Sequence, residues 1–218
     1  MTNTAPHEYN VRLATTDTDV SEVKLIDNMA FAGHRGVSEE ELQKVKEHGV
    51  LLLLCRSATG DAVGEAQLLY ESIPEIPHEF AFPVAYCYGV AIRPGFHAHG
   101  LGRILMQSVW DVAIGHGVEE IHLSVRVENY PSLKLMFGQG YEIVNYCKDF
   151  YGPDKVEGPR LMMSKTRIKQ KKEGSVEQFF VPVPFFGSFN EAAHQAIAQH
   201  TKEGRRGIGV NREGLIFA

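Results

Sequence analysis

One stretch of this chain, Ala85 to Arg103, reads AYCYGVAIRPGFHAHGLGR and limits what can be built around it. An apolar, strand-like run ends at Arg93-Pro94, a short loop leads to Gly100-Leu101-Gly102, and a helical pattern from Arg103 to Ile114 follows at once. Glycine lets the backbone turn sharply and come close to a ligand. The N–H groups of a first helical turn have no acceptor within the helix, so a phosphate can be held there. The pattern G-x-x-x-x-G-K-[ST] of nucleotide-binding loops does not occur in the chain. A dinucleotide fingerprint, G-x-G-x-x-G directly after a strand, fails as well, because its third glycine falls on Leu105 and about six residues separate the strand from Gly100. A glycine turn that only caps a helix remains the plain alternative.

The segments around this loop alternate between the two periods. Tyr9 to Ala14 alternates as a strand, Asp19 to Phe31 has helical spacing, and Ser38-Glu39-Glu40-Glu41 opens a second helix with a capping box that runs to Gly49. Val50 to Cys55 is a continuous apolar strand, Ala58-Thr59-Gly60-Asp61 turns, and Ala62 to Tyr70 pairs back. Residues 71–82, with Pro74 and Pro77, form a loop before the strand at Val84 to Ile92. After the helix, Ile121-His122-Leu123-Ser124-Val125-Arg126-Val127 reads as a buried strand and leads to a helix ending near Gln139, with strands at about 140–150 and 160–167. The expected fold class is α/β, in layers: a mixed, mostly antiparallel central sheet of about seven strands flanked by helices.

Two motifs in this frame resemble one family. His97-x-x-Gly100-x-Gly102 is similar to the Q/R-x-x-G-x-G/A loop with which GNAT N-acetyltransferases hold the pyrophosphate of acyl-CoA. Asn129-x-x-Ser132-x-x-Leu135-Met136-x-x-x-Gly140-Tyr141 resembles the family's second signature, N-x-x-A-x-x-L-Y-x-x-x-G-F. The resemblance covers roughly residues 9 to 167, with its sharp motifs inside residues 88–141. It implies acetyl-CoA as cosubstrate, bound by Val90, Ala91, Ile92, His97, Ala98, His99, Gly100, Leu101, Gly102, Arg103, Asn129, Ser132 and Met136. The asparagine would contact the pantetheine arm, and backbone N–H groups around Tyr88–Ile92 would hold the thioester oxyanion.

The implied chemistry is direct attack of a primary amine on the thioester. A lysine-like ammonium has a pKa of about 10.4, so its proton has to leave before the nitrogen can attack. The acidic base that relatives often carry on the key strand is missing, since Val84 to Ile92 holds no Asp or Glu. Candidate bases are Glu65 on the preceding strand, where the other reading is a solvent-facing position, and Glu71, Glu75, His78 or Glu79 in the loop. The family's frequent tyrosine, which can protonate the leaving thiolate, falls on Met136, whose thioether has no proton to give. Tyr130, Tyr141 and Tyr151 are substitutes, although Tyr141 also fits the apolar place of the family's G-F pair. Tyr86 and Tyr88 share a strand face and either line the acceptor groove or pack as ordinary aromatics. The catalytic candidates are Glu65, Tyr88 and Tyr141. Arg126 is read as a phosphate contact or a surface ion pair.

From Ile168 the composition changes, which gives two expected parts: 1–167 as the GNAT-like domain and 168–218 as a C-terminal extension outside the resemblance. Lys169, Lys171 and Lys172 read as a charged linker, Val176 to Phe186 as an edge strand or arm, Asn190 to Lys202 as an amphipathic helix, and Gly207 to Phe217 as strand. The extension's aromatic run has to be covered by the parent domain or by a second subunit, which makes a homodimer one solution. Residues 165–218 hold nine Lys/Arg and five Asp/Glu, a net of +4, so with a whole-chain charge of −5 residues 1–164 carry −9. An acidic catalytic region favours a cationic amine by steering, whereas solubility alone would explain the same charge. Nucleic acid is not an expected partner of so acidic a chain. Ten histidines carry no H-E-x-x-H or C-x-x-C spacing, so no metal is expected. Cys55, Cys87 and Cys147, each in an apolar run, fit reduced thiols. No apolar run is long enough to span a membrane or act as a secretory signal, and the expected place is the cytoplasm. Three functions follow: N-acetyl transfer to a small-molecule or protein amine, a non-catalytic acyl-CoA-binding or sensing domain, or other acyl-CoA chemistry such as decarboxylation on the same fold.

Overall fold

A computed structural model describes residues 8–31, 36–71, 83–150, 158–167, 177–185 and 190–218. The chain divides into two compact units, one of residues 1–72 and 83–118 and the other of residues 73–82 and 119–218. Their strands belong to a mostly antiparallel sheet flanked by helices, the expected class. The first unit holds β1 (Tyr9–Leu13), α1 (Asp17–Ala30), α2 (Glu39–His48), β2 (Gly49–Arg56), β3 (Ala62–Leu69), β4 (Val84–Ile92) and α3 (Leu101–Gly115). The second holds β5 (Glu120–Arg126), α4 (Tyr130–Gly138), β6 (Glu142–Cys147), β7 (Arg160–Thr166), β8 (Phe179–Pro182), α5 (Glu191–Lys202), β9 (Gly207–Val210) and β10 (Gly214–Phe217). Among the described residues, those up to 167 supply seven strands and the extension adds three more.

In the first unit β1, β2, β3 and β4 pair in sequence order, all antiparallel. The unbroken apolar run of β2 is explained by its place between two neighbours with both faces covered. Leu51, Leu53 and Cys55 join Val23 and Ile26 of α1 and Leu42 and Val45 of α2 in one cluster. Leu52 and Leu54, which alternate with them, are also buried. Each such leucine contributes roughly 1.5–3 kcal/mol by leaving water. Both helices start at capping boxes, Thr16 with Asp19 and Ser38 with Glu41, so their ends fall where side chains replace the missing acceptors. Gly49 closes α2 and enters β2 directly, and a Cβ there would run into the Leu68 carbonyl.

In the second unit β7 lies between β5 and β6 and is antiparallel to both. Arg160 pairs with Arg126 on one side and Cys147 on the other, so β5 and β6 end at the same edge. The extension joins this sheet. Gly207 of β9 pairs with Ile143 of β6, and a Cβ on Gly207 would sit 2.5–2.8 Å from the Ile143 side chain. The stretch expected as one strand at Gly207 to Phe217 is two, because Asn211 Oδ1 accepts from the N–H groups of Glu213 (2.8 Å) and Gly214 (3.0 Å) and turns the chain into a hairpin. β10 pairs with β9 on one side and with β8 on the other. The helix expected at Asn190 to Lys202 forms with Asn190 as its cap. Among the described residues no helix is long and apolar enough to cross a membrane.

Candidate active site

The strand–loop–helix segment joins β4 to α3 through the glycine loop. Gly100 has φ of +76° and precedes α3 without a side-chain cap, so the first N–H groups of the helix are left to an external acceptor. A Cβ built on Gly100 meets nothing within 4 Å, so the glycine is there for its conformation and for open space above it. Ala98, a non-glycine, also takes positive φ, +65°. Such a residue is held in place by its surroundings, and here one tether is visible: His97 Nε2–H donates to the Ile92 carbonyl at 2.8 Å. His97 thus ties the loop to the end of β4. Arg56 stacks over Phe96 of the same loop at 5.2 Å. This bond of His97 to the end of β4 was not read from the sequence. Of the other loop residues, His99 and Arg103 are exposed, and Leu101 turns into the core with Leu105.

β4 carries an irregularity that periodicity does not reveal. Gln67 faces Gly89 and Leu68 faces Cys87, so Tyr88 is an extra residue and β4 bulges there. Val90, Ala91 and Ile92 resume the ladder opposite β3. The bulge is held from both sides. Tyr88 Oη donates to Glu41 Oε1 at 2.7 Å, while Glu41 Oε2 accepts from the Ser38 N–H at 2.7 Å in the capping box. The Gln67 side chain fills the space where a Cβ on Gly89 would lie, 3.0 Å from that position. Tyr86 meets Tyr88 edge-on at 5.9 Å.

Glu65 lies beneath the bulge, 0% exposed. It is neither solvent-facing nor paired with a cation. Gln67 Nε2–H donates to its Oε2 at 3.2 Å, and Oε1 has no partner. Burial, and then the charge of Asp27 on α1, push its carboxyl well above the ordinary carboxylate range. Asp27 is raised too, chiefly by burial, although the Val37 N–H donates to it at 2.7 Å. The Cys87 thiol is raised by burial and by the nearby Glu65. Three carboxyls, Asp27, Glu41 and Glu65, therefore occupy the α1/α2 side of β3 and β4. Neither Asp27 nor Glu41 stood out in the sequence, since Glu41 read only as a helix cap. Of the loop candidates, Glu71 is taken into surface pairing with Lys44 at 2.9 Å, while Glu75, His78 and Glu79 lie outside the described residues.

In the second unit Asn129 caps α4, its Oδ1 accepting from the Ser132 N–H at 3.2 Å. Any contact with a ligand would therefore use Nδ2 as donor. Met136 is buried on α4, and Tyr141 is 2% exposed with Lys165 Nζ 5.9 Å from its ring centre, which makes both packing residues. Tyr130 packs on Phe185 at 5.2 Å. Arg126 lowers the neighbouring Glu128 carboxyl by its charge, after the larger effect of a histidine hydrogen bond. Tyr151, Lys169, Lys171 and Lys172 lie outside the described residues. Among the described residues no three His, Cys, Asp or Glu side chains are grouped to hold a metal.

The model of the acetyltransferase (GNAT) family matches residues 25–141, more than half of the chain. The chain belongs to the acetyltransferase (GNAT) family. The match takes in both signatures, the bulged strand and the buried carboxyls. Family membership places the chain in the class of acetyl-CoA-dependent N-acetyltransferases. Solved structures share the fold. The ribosomal-protein-S18-alanine N-acetyltransferase from Escherichia coli aligns with a TM-score of 0.59 at 18% identity over 77% of this chain and 99% of its own. Arabidopsis thaliana Naa50, in complex with a bisubstrate analogue CoA-Ac-MVNAL, gives 0.60 at 16% over 73% and 99%. A GNAT family acetyltransferase from Elizabethkingia anophelis with acetyl-CoA bound gives 0.56 at 16% over 73% and 98%. Among curated proteins none matches the sequence.

Proposed function

We propose that this GNAT protein transfers the acetyl group of acetyl-CoA to a primary amine of a small molecule or a protein, by direct attack on the thioester. The observation that carries the reading is the uncapped start of α3 behind the left-handed Gly100, inside the matched family segment. The backbone N–H groups from His99 to Gly102 would bind the pyrophosphate, with Arg103 beside them, and Asn129 Nδ2 would donate to the pantetheine arm. Val90, Ala91 and Ile92 would flank the thioester. At the bulge the backbone of β4 leaves the regular ladder, and backbone N–H groups of β4 around Tyr88–Ile92 would hold the developing oxyanion. Glu41 and Gln67 act here as positioning residues, fixing Tyr88 and Gly89. Glu65, whose carboxyl burial pushes well above the ordinary carboxylate range, would support Gln67. The acidic surroundings support a cationic acceptor. Acetyl-CoA is a cosubstrate and no metal enters the scheme. A homodimer and a cytoplasmic location remain part of the proposal, as does the division into a catalytic part, 1–167, and an extension, 168–218.

The test is thiol release from acetyl-CoA over a panel of polyamines, amino acids, aminoglycosides and N-terminal peptides. Turnover with one class assigns the acceptor. Silence throughout, with acetyl-CoA still raising the melting temperature, means an acyl-CoA-binding role without transfer. Gly100→Asp places a side chain and a negative charge where the pyrophosphate would sit, and is expected to abolish that thermal shift. An unchanged shift would overturn the placement of the cosubstrate.

A further inference from the structure

The bulge in β4 re-aims one phenol. Gln67 pairs with Leu51 of β2, whose side chain joins the cluster with α1 and α2, so Gly89, across from Gln67, lies on that face. In strict alternation the residue before Gly89 would point to the other face. The extra residue removes that constraint, and Tyr88 packs against the same cluster, edge-on to Tyr86. Bulges serve in this way beside reacting groups, turning a side chain to where regular pleating would not put it. From this position Tyr88 Oη donates to Glu41 Oε1 at 2.7 Å.

Glu41 is suited to receive more than a hydrogen bond. Its Oε2 accepts the Ser38 N–H at 2.7 Å, so both oxygens act as acceptors, in the first turn of α2 where negative charge is favoured. Asp27 on α1 is affected by Glu41 as by a like charge. Tyr88 and Glu41 are both half-buried, whereas Glu65, on the same face, is shut off from any amine in solution. β4 itself holds no Asp or Glu between Val84 and Ile92. The phenol at its bulge reaches a carboxylate that α2 supplies. Both residues belong to the compact unit that also holds the glycine loop and α3.

We infer that Tyr88 takes the proton of the attacking amine and hands its own to Glu41. The inference rests on the N-acetyltransferase reading. As the amine nitrogen bonds to the acetyl carbon and the C–S bond breaks, the nitrogen's proton passes to Tyr88 Oη. The phenol's proton moves to Glu41 Oε1 in the same motion, so no free phenolate forms, and CoA leaves as the thiolate. Glu41 then returns its proton through Tyr88 to the thiolate or to water, which restores both groups. Tyr88 is the catalytic residue, and Glu41 acts through it. Titratable groups packed on this face include Asp27 of α1 and Glu65 of β3. A proton on Glu41 relieves its repulsion with Asp27, which favours the transfer.

The experiment compares full-length wild type with Tyr88→Phe and Glu41→Gln, measuring kcat and KM by thiol release. The acceptors are the best amine and analogues whose basicity is lowered by fluorine. Tyr88→Phe is expected to lower kcat about a hundredfold, at the lower end of what acid–base catalysis supplies, with KM for acetyl-CoA unchanged. The ratio of wild type to variant should be greatest for the most basic amine, which holds its proton hardest, and should shrink along the series. A tyrosine that only packs would change kcat by one factor for every amine, and that result would overturn the relay. So would wild-type kcat in Tyr88→Phe, with N-acetylation left intact. Glu41→Gln keeps a hydrogen-bonding group of the same shape but takes up no proton, and should show the same trend. Wild-type kcat in that variant would overturn the transfer to Glu41. A wild type that turns over no amine would overturn the N-acetyltransferase reading itself. Should Tyr88→Phe unfold, Glu41→Gln decides alone.

Discussion

Glu65→Gln tests whether burial raises this carboxyl above its ordinary range. In the folded protein the carboxyl is shielded from water and faces Asp27, so its pKa lies well above that of the unfolded chain. For an acid raised in this way the folded state keeps a proton that the unfolded state has released. Its contribution to stability is complete below the ordinary carboxylate pKa of about 4.3 and is lost as pH climbs toward the folded value. Inside that window one proton's difference amounts to about 1.4 kcal/mol per pH unit. For a chain of this size that is roughly 3–5 °C in melting temperature per unit. Glutamine keeps the shape and the bond to Gln67 but has nothing to titrate. Asp27, also raised, stays in both proteins and largely cancels in the difference. The assay is the melting temperature of both from pH 5 to 8 by circular dichroism. The variant should gain on wild type as pH climbs from the ordinary carboxylate pKa toward the folded value, and its acetyl transfer should fall only modestly. Parallel curves would refute the reasoning, since they would mean that Glu65 titrates as it does in water.

Tyr88→Phe removes the hydrogen bond that Tyr88 Oη donates to the half-buried Glu41 carboxylate. About 1–3 kcal/mol of stability should be lost, together with kcat, as measured by denaturant unfolding and thiol release. Gly207→Val forces β9 away from Ile143, where the contact involves Cβ as well as the flexible tip, and should cost about 1–3 kcal/mol.

Much of the fold can be read along the chain, because each cue acts locally. The run Val50 to Cys55 needs cover on both faces, Ser38 with Glu41 starts a helix wherever it falls, and Gly100 before an apolar helix leaves open N–H groups. The bulge at Tyr88 is invisible to periodicity, since its origin lies in Gln67 and Glu41, at distant positions. Alternation gave Glu65 two faces to choose from and could not say that Asp27 would be across from it. His194 sits among Ala, Gln and Thr in an ordinary amphipathic helix, and only tertiary structure brings Tyr146 and Glu128 to its two nitrogens. The hairpin at 211–214 did carry a signal, an asparagine ahead of glycine, that a continuous strand reading passed over.

The order of strands in the extension has a consequence for how the protein assembles. β8 comes first in the chain, but its partner is β10, which comes last. Phe179 and Val181 therefore wait unpaired through the synthesis of α5 and β9 until Gly214–Phe217 slots between the two. Assembly here closes in a single late step, like a keystone set after both sides of an arch. A nascent chain halted before Gly214 would hold β8 and β9 without the strand that pairs with both.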